Sequence, residues 1–137
     1  MPPALDHLGI AVRDLDAACR FYALLGVMAE GRERVAQEQV EVAMLPLAAG
    51  RIELLQPTAP DSPVGRFLER RGEGLHHIAL RVPDLGAAVA QLRGAGMRLI
   101  REEPQVGAGG HRYVFVHPAS AGGVLLELVE SREETTA

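Results

Sequence analysis

The chain has 137 residues, 47% hydrophobic and 23% charged, with a net charge of −4 and one cysteine. That length supports a single core, since domains typically run to about 100–150 residues, and the composition is that of a globular protein. The acidic balance and the missing basic stripe argue against nucleic acid, and no apolar run approaches the roughly 18 residues that cross a bilayer. Cys19 stands alone, which rules out an internal disulfide. With no signal-peptide pattern at Met1–Leu5, the expected setting is a reducing cytosol.

Leu8–Val12 reads as a short apolar strand, followed by Asp14 as a helix cap. Leu15, Ala18, Phe21, Tyr22 and Leu25 recur at helical spacing, and Gly26 ends the run. Val40, Val42 and Met44 alternate with Glu41 and Ala43, the mark of a half-buried strand. Pro46–Gly50 is a turn and Ile52–Gln56 a strand. Asp61 or Ser62 then caps a short helix, Val64–Arg71, with Pro63 in its first turn. The order now repeats. Ile78–Val82 is a strand, Asp84–Ala95 a helix ended by Gly96, and Met97–Arg101 a strand. Val106–Gly110 is a glycine-rich loop, Tyr113–His117 and Val124–Val129 are strands, and residues 131–137 form a polar, frayed tail.

The second half restates the first. His7, Val12, Asp14, Leu15, Ala17, Ala18 and Gly26 meet His77, Val82, Asp84, Leu85, Ala87, Ala88 and Gly96 at a constant offset of 77 − 7 = 70. IELLQP (Ile52–Pro57) is echoed by LELVE (Leu126–Glu130). The expected fold is α+β: two tandem βαβββ modules, 4–72 and 73–130, forming a pseudo-twofold mixed-sheet cleft. A lone half would leave sheet edges and one sheet face open.

Each half therefore opens with a strand histidine and closes with a strand glutamate. Alternate strand residues share a face, so His7, Glu53, His77 and Glu127 can converge. Two imidazoles and two carboxylates with room for water suit a divalent first-row metal: Zn, Co, Ni, Mn or Fe on ligand type. Packing alone does not explain matched His and Glu in both halves, and an unpaired buried carboxylate is costly. Gln56 competes for the first acidic position: a three-residue slip would match it to Glu130 instead. His76 is expected to point away from His77, and His111 reads as structural. His117 reads as structural or as a contact near the site. The VGAGG run (Val106–Gly110) lacks phosphate-loop spacing and reads as a flexible lip.

With these residues in view, the chain resembles the vicinal-oxygen-chelate (glyoxalase/bleomycin-resistance/dioxygenase) superfamily and, within it, the methylmalonyl-CoA epimerase family. The likeness covers residues 4–130. It is carried by LDHLGIAVRDL (Leu5–Leu15), IELLQPTAPDSPVGRFL (Ile52–Leu68), GEGLHHIALRV (Gly72–Val82) and VHPASAGGVLLEL (Val116–Leu128). The resemblance implies a metal-dependent isomerase that interconverts the C2 epimers of methylmalonyl-CoA in propionate breakdown. It implies a cobalt-type ion, with Zn2+, Ni2+ or Mn2+ possible, on His7, His77, Glu127 and Glu53 at the position that is Gln or Glu in relatives. Chemically, C2–H lies between a thioester and a carboxylate, and a Lewis acid on the oxygens stabilises the enolate. Epimerisation needs an acid–base group on each face. The resemblance gives one to Glu127. Where some relatives carry the second, on the strand matching Val40–Met44, this chain has Val42, with Glu41 one residue off; one residue flips the face of a strand. Glu41 and Glu53 are both candidates for the second face.

Arg32, Arg34, Arg101 and Arg112 are candidates for the phosphates of a CoA thioester. A homodimer is implied by the family and by the open strand edges. Two alternatives stand beside the epimerase: a glyoxalase-type isomerase of the lactoylglutathione lyase kind, and a metal-free small-molecule binding module.

Overall fold

The computed structural model describes residues 2–131; the tail expected at 131–137 otherwise lies outside them. Eight strands and three helices follow in the order β1 (Ala4–Ala11), α1 (Leu15–Ala23), β2 (Gly31–Val35), β3 (Val40–Pro46), β4 (Arg51–Pro57), α2 (Pro63–Arg71), β5 (Gly74–Val82), α3 (Leu85–Gly94), β6 (Gln105–Val106), β7 (Arg112–Val116) and β8 (Leu126–Glu130). The α+β class expected from the repeat is what the chain adopts. Two compact units form: His7–His77, and residues 2–6 with 78–131.

In the His7–His77 unit the strand order is β2-β3-β4-β1. β1 and β4 are parallel, with Gly9 opposite Glu53, and the β3–β4 and β2–β3 pairs are antiparallel. α1 covers one face. Leu15 meets Val12, Ala43, Leu45 and Leu54, with Ala18, Cys19 and Tyr22 packed around them. The helical stripe read from sequence is narrower than expected, because Phe21 and Leu25 are exposed. The other unit repeats the plan as β5-β8-β7-β6. There Ala79 lies opposite Glu127 in a parallel β5–β8 pair, and Leu85 and Val89 of α3 pack on Val82, Val114, Val116 and Leu128.

The punctuation matches residue by residue. Asp14 and Asp84 each accept a hydrogen bond from the amide three residues on, Ala17 at 3.1 Å and Ala87 at 3.0 Å. Gly26 and Gly96 both have φ of +79°, the left-handed conformation that closes a helix at least cost in glycine. Ser62, not Asp61, caps α2, with Gly65 N–H donating to its hydroxyl at 3.0 Å.

Two strand expectations need correction. β2 was not singled out, because GRERV reads as a charged loop; charge on an edge strand is how a sheet blocks further pairing. Met97–Arg101 is not a strand. Only Leu99 makes an isolated bridge, to Val116, and the short edge strand comes later, at Gln105–Val106.

Candidate metal centre

The pairing register settles which glutamate matches which. Gly9 and Ala79 are both two residues past a strand histidine, and they face Glu53 and Glu127. Glu53 is therefore the counterpart of Glu127, and the three-residue slip does not occur. Gln56 does other work, its side-chain oxygen accepting from the Leu15 amide at 2.7 Å at the start of α1. Its counterpart Glu130 pairs with Arg112 at 3.0 Å.

Within the His7–His77 unit, three of the expected residues come together in a buried group: His7 (3% exposed), Glu53 (4%) and His77 (6%). The two histidine rings are nearly perpendicular, and their Nε2 atoms are 3.0 Å apart. His77 can lie against β1 because residue 9 is glycine; a Cβ there would sit 2.2 Å from His77 Cε1. On its other nitrogen, His7 Nδ1 lies 3.3 Å from Glu53 Oε2. Arg51 meets that same oxygen through Nη2 at 2.6 Å and Nε at 2.8 Å. Nothing in the strand pattern singles out Arg51.

His76 was expected to face away from His77, but the rings meet. Their Nδ1 atoms are 2.9 Å apart, and the far side of His76 packs edge-on against Phe67. Both histidines of the pair therefore turn Nε2 toward each other and Nδ1 toward a neighbour. The spacing fits a shared cation: two nitrogens each about 2.1 Å from one ion and at right angles lie about 3.0 Å apart.

In the second unit Glu127 is 8% exposed, in register with Ala79 on one side and Phe115 on the other. Asp6, also buried and not singled out from sequence, has Arg81 at 3.9 Å. His117 is a turn residue, its Nδ1 accepting from the Ala119 amide at 3.0 Å.

The β3 register decides the side of the sheet on which Glu41 lies. Val42 and Met44 share the face of Glu53, whereas Glu41 lies with Ala43 and Leu45 on the face toward α1. Glu33 on β2, not singled out from sequence, pairs with Val42 and shares its face. Of the four arginines weighed for phosphate binding, Arg32 is engaged by Asp16, which raises the guanidinium pKa further, and Arg112 by Glu130. Arg34 faces Glu41 across the β2–β3 pair, and Arg101 is exposed.

Residues 6–115 match the model of the Glyoxalase/Bleomycin resistance protein/Dioxygenase superfamily. Human mitochondrial methylmalonyl-CoA epimerase is 37% identical over 129 residues, 93% of this chain and 73% of that protein. The chain belongs to the methylmalonyl-CoA epimerase family of that superfamily. An ethylmalonyl-CoA/methylmalonyl-CoA epimerase of Cereibacter sphaeroides is 39% identical over 127 residues, covering 90% of this chain and 95% of its own. A solved methylmalonyl-CoA epimerase in complex with methylmalonyl-CoA and NH4+ superposes with a TM-score of 0.92 at 40% identity, covering 97% of each chain. A Streptomyces coelicolor methylmalonyl-CoA epimerase variant in complex with 2-nitronate-propionyl-CoA gives 0.90 at 41% identity, covering 95% of each. Family membership makes the chain an isomerase. No helix among the described residues is long and apolar enough to cross a membrane.

Proposed function

We propose that the protein epimerises methylmalonyl-CoA at C2 with a divalent metal, cobalt first among those its donors suit. The observation that carries this reading is the pair of buried imidazole Nε2 atoms 3.0 Å apart, in a chain of this family. His7 and His77 hold the ion in this account. Glu127 joins them: it is a buried carboxylate in register with Ala79, which follows His77 by two residues on β5 and so shares its face. A divalent cation held there supplies Lewis acidity to the oxygens beside the acidic carbon.

Glu127 takes the C2 proton from one face of the substrate. Its burial keeps water from competing for that role. Return of a proton to the opposite face needs a second group, and Glu33 is the carboxylate of β2 that shares the Glu53 face. The thioester's phosphates go to arginines of the loops and edges, with Arg34 and Arg101 as candidates. The same reading carries a homodimeric cytosolic enzyme of propionate breakdown.

The test is interconversion of (2R)- and (2S)-methylmalonyl-CoA, with and without a chelator, in protein reloaded with Co2+. Epimerisation that stops on chelation and resumes on reloading is the expected result. Turnover of a thiol hemithioacetal in its place would give the site to a glyoxalase-type isomerase. A protein that takes up no metal would be a binding module.

A further inference from the structure

Alternation along β5 turns the Cβ atoms of His76 and His77 to opposite faces, yet the side chains swing back until the two Nδ1 atoms are 2.9 Å apart, with the rings at 86° to each other. The other nitrogen of His77, Nε2, lies 3.0 Å from His7 Nε2, the side on which the metal reading puts the ion. A neutral imidazole carries one N–H and one lone pair. A lone pair given to a cation at Nε2 leaves the His77 proton on Nδ1, so that N–H donates and His76 Nδ1 accepts. His76 is then the Nε2–H tautomer, and one assignment fixes the proton on both rings. Phe67 of α2 backs this arrangement. It packs edge-on against His76, with centroids 5.0 Å apart and planes at 81°. One helical turn on, the Arg71 guanidinium lies over the Phe67 ring, 5.8 Å from its centroid. The helix beneath is closely seated: Val64, Gly65 and Leu68 are buried, and a Cβ at Gly65 would lie 2.5 Å from the Pro60 carbonyl oxygen.

We infer that His76 is a positioning residue for His77: it accepts the Nδ1–H of that ring, so that the Nε2 lone pair points at the metal, and α2 holds it in place through Phe67. The inference rests on the metal reading above. It explains a contact between two rings that alternation along β5 does not require. It also extends the working parts of the centre from the strands to a helix with none of the proposed ligands on it. The acceptor behind His77 is a neutral ring, which orients the ligand without adding negative charge. Partners of this kind typically change metal affinity by about 10–100-fold when removed.

The experiment uses full-length protein loaded with Co2+. Metal affinity is read by competition titration, the hyperfine-shifted exchangeable imidazole N–H signals by proton NMR, and folding by circular dichroism. Three variants separate the hydrogen bond from the packing. His76→Phe keeps a ring against Phe67 and loses the acceptor. His76→Asn gives up the ring and puts an amide oxygen near the place of Nδ1. Phe67→Leu removes the backing ring and leaves both histidines. His76→Phe should lose affinity about 10–100-fold, with one N–H signal broadened by exchange with water. His76→Asn should recover part of the affinity and of that signal, and Phe67→Leu should fall between wild type and His76→Phe. The reverse order, with His76→Phe binding Co2+ better than His76→Asn and keeping the N–H signals of wild type, would overturn the inference, as would wild-type affinity in all three variants. Wild-type protein that binds no Co2+ would overturn the metal reading itself, a different failure seen before any variant is made.

Discussion

Gly9→Ala tests the seat of His77. A Cβ at position 9 would lie 2.2 Å from His77 Cε1, 2.5 Å from Nδ1 and 2.6 Å from Nε2. These are three atoms of one buried ring, with β1 behind it. Gly9 has no positive φ, so the backbone accepts alanine and the whole cost is steric. The repeat supplies its own contrast, since position 79, the counterpart of Gly9, already carries a Cβ at 0% exposure. Overpacking of this kind costs about 1–3 kcal/mol, and replacing a strand glycine returns about 0.5–1 kcal/mol. The expected net loss is about 1–2 kcal/mol, which for this chain length lowers Tm by about 4–8 °C. The ring that moves is also a proposed ligand, so a tenfold loss of affinity would remove about 1.4 kcal/mol of the stabilisation that added Co2+ provides. Thermal denaturation with and without Co2+ reads both effects. A variant that melts at the wild-type temperature and gains as much from Co2+ would refute the reasoning.

Glu41→Ala should leave epimerisation unchanged, because Glu41 lies on the α1 face of its strand. Glu33→Gln should lower kcat with metal content unaltered, and the opposite ranking in a steady-state assay would return Glu41 to the site. Gln56→Ala removes the acceptor for the Leu15 amide and should cost about 1 kcal/mol in chemical denaturation, with Co2+ affinity preserved; a loss of affinity would contradict the register assignment. His76→Phe keeps an aromatic ring against Phe67 but removes the nitrogen beside His77, so Co2+ titration should show an affinity loss of about 10–100-fold, and no loss would make His76 a packing residue only.

Much of this was legible in the chain because the repeat makes each half a check on the other. Asp14 and Asp84 announce two helix caps, and Gly26 and Gly96 two helix ends, since each of these roles needs a particular residue type. What the sequence left open was a matter of partners. Whether Glu53 or Gln56 matches Glu127 depends on strand register, which the pattern ELLQ against ELVE leaves at two choices. The exposure of Phe21 and Leu25 depends on the width of sheet beneath α1, and helical spacing does not report that. GRERV hides an edge strand because edge strands carry charge. His76 and His77 are neighbours on a strand, so alternation sends their Cβ atoms apart; the rings meet by swinging back, which no periodicity encodes. Arg51 is hidden in the sequence for the same reason. Its contact is with Glu53, two residues along its own strand, and alternation alone does not report that pairing.

The most direct test of the central claim follows the substrate proton itself. Methylmalonyl-CoA is incubated in D2O with Co2+-loaded protein, and the C2–H signal is followed by proton NMR after subtraction of the uncatalysed exchange. The account predicts loss of C2–H that requires the metal and disappears in Glu127→Gln while the variant stays folded. Exchange that continues undiminished in Glu127→Gln, or that proceeds equally well in metal-free protein, would contradict it.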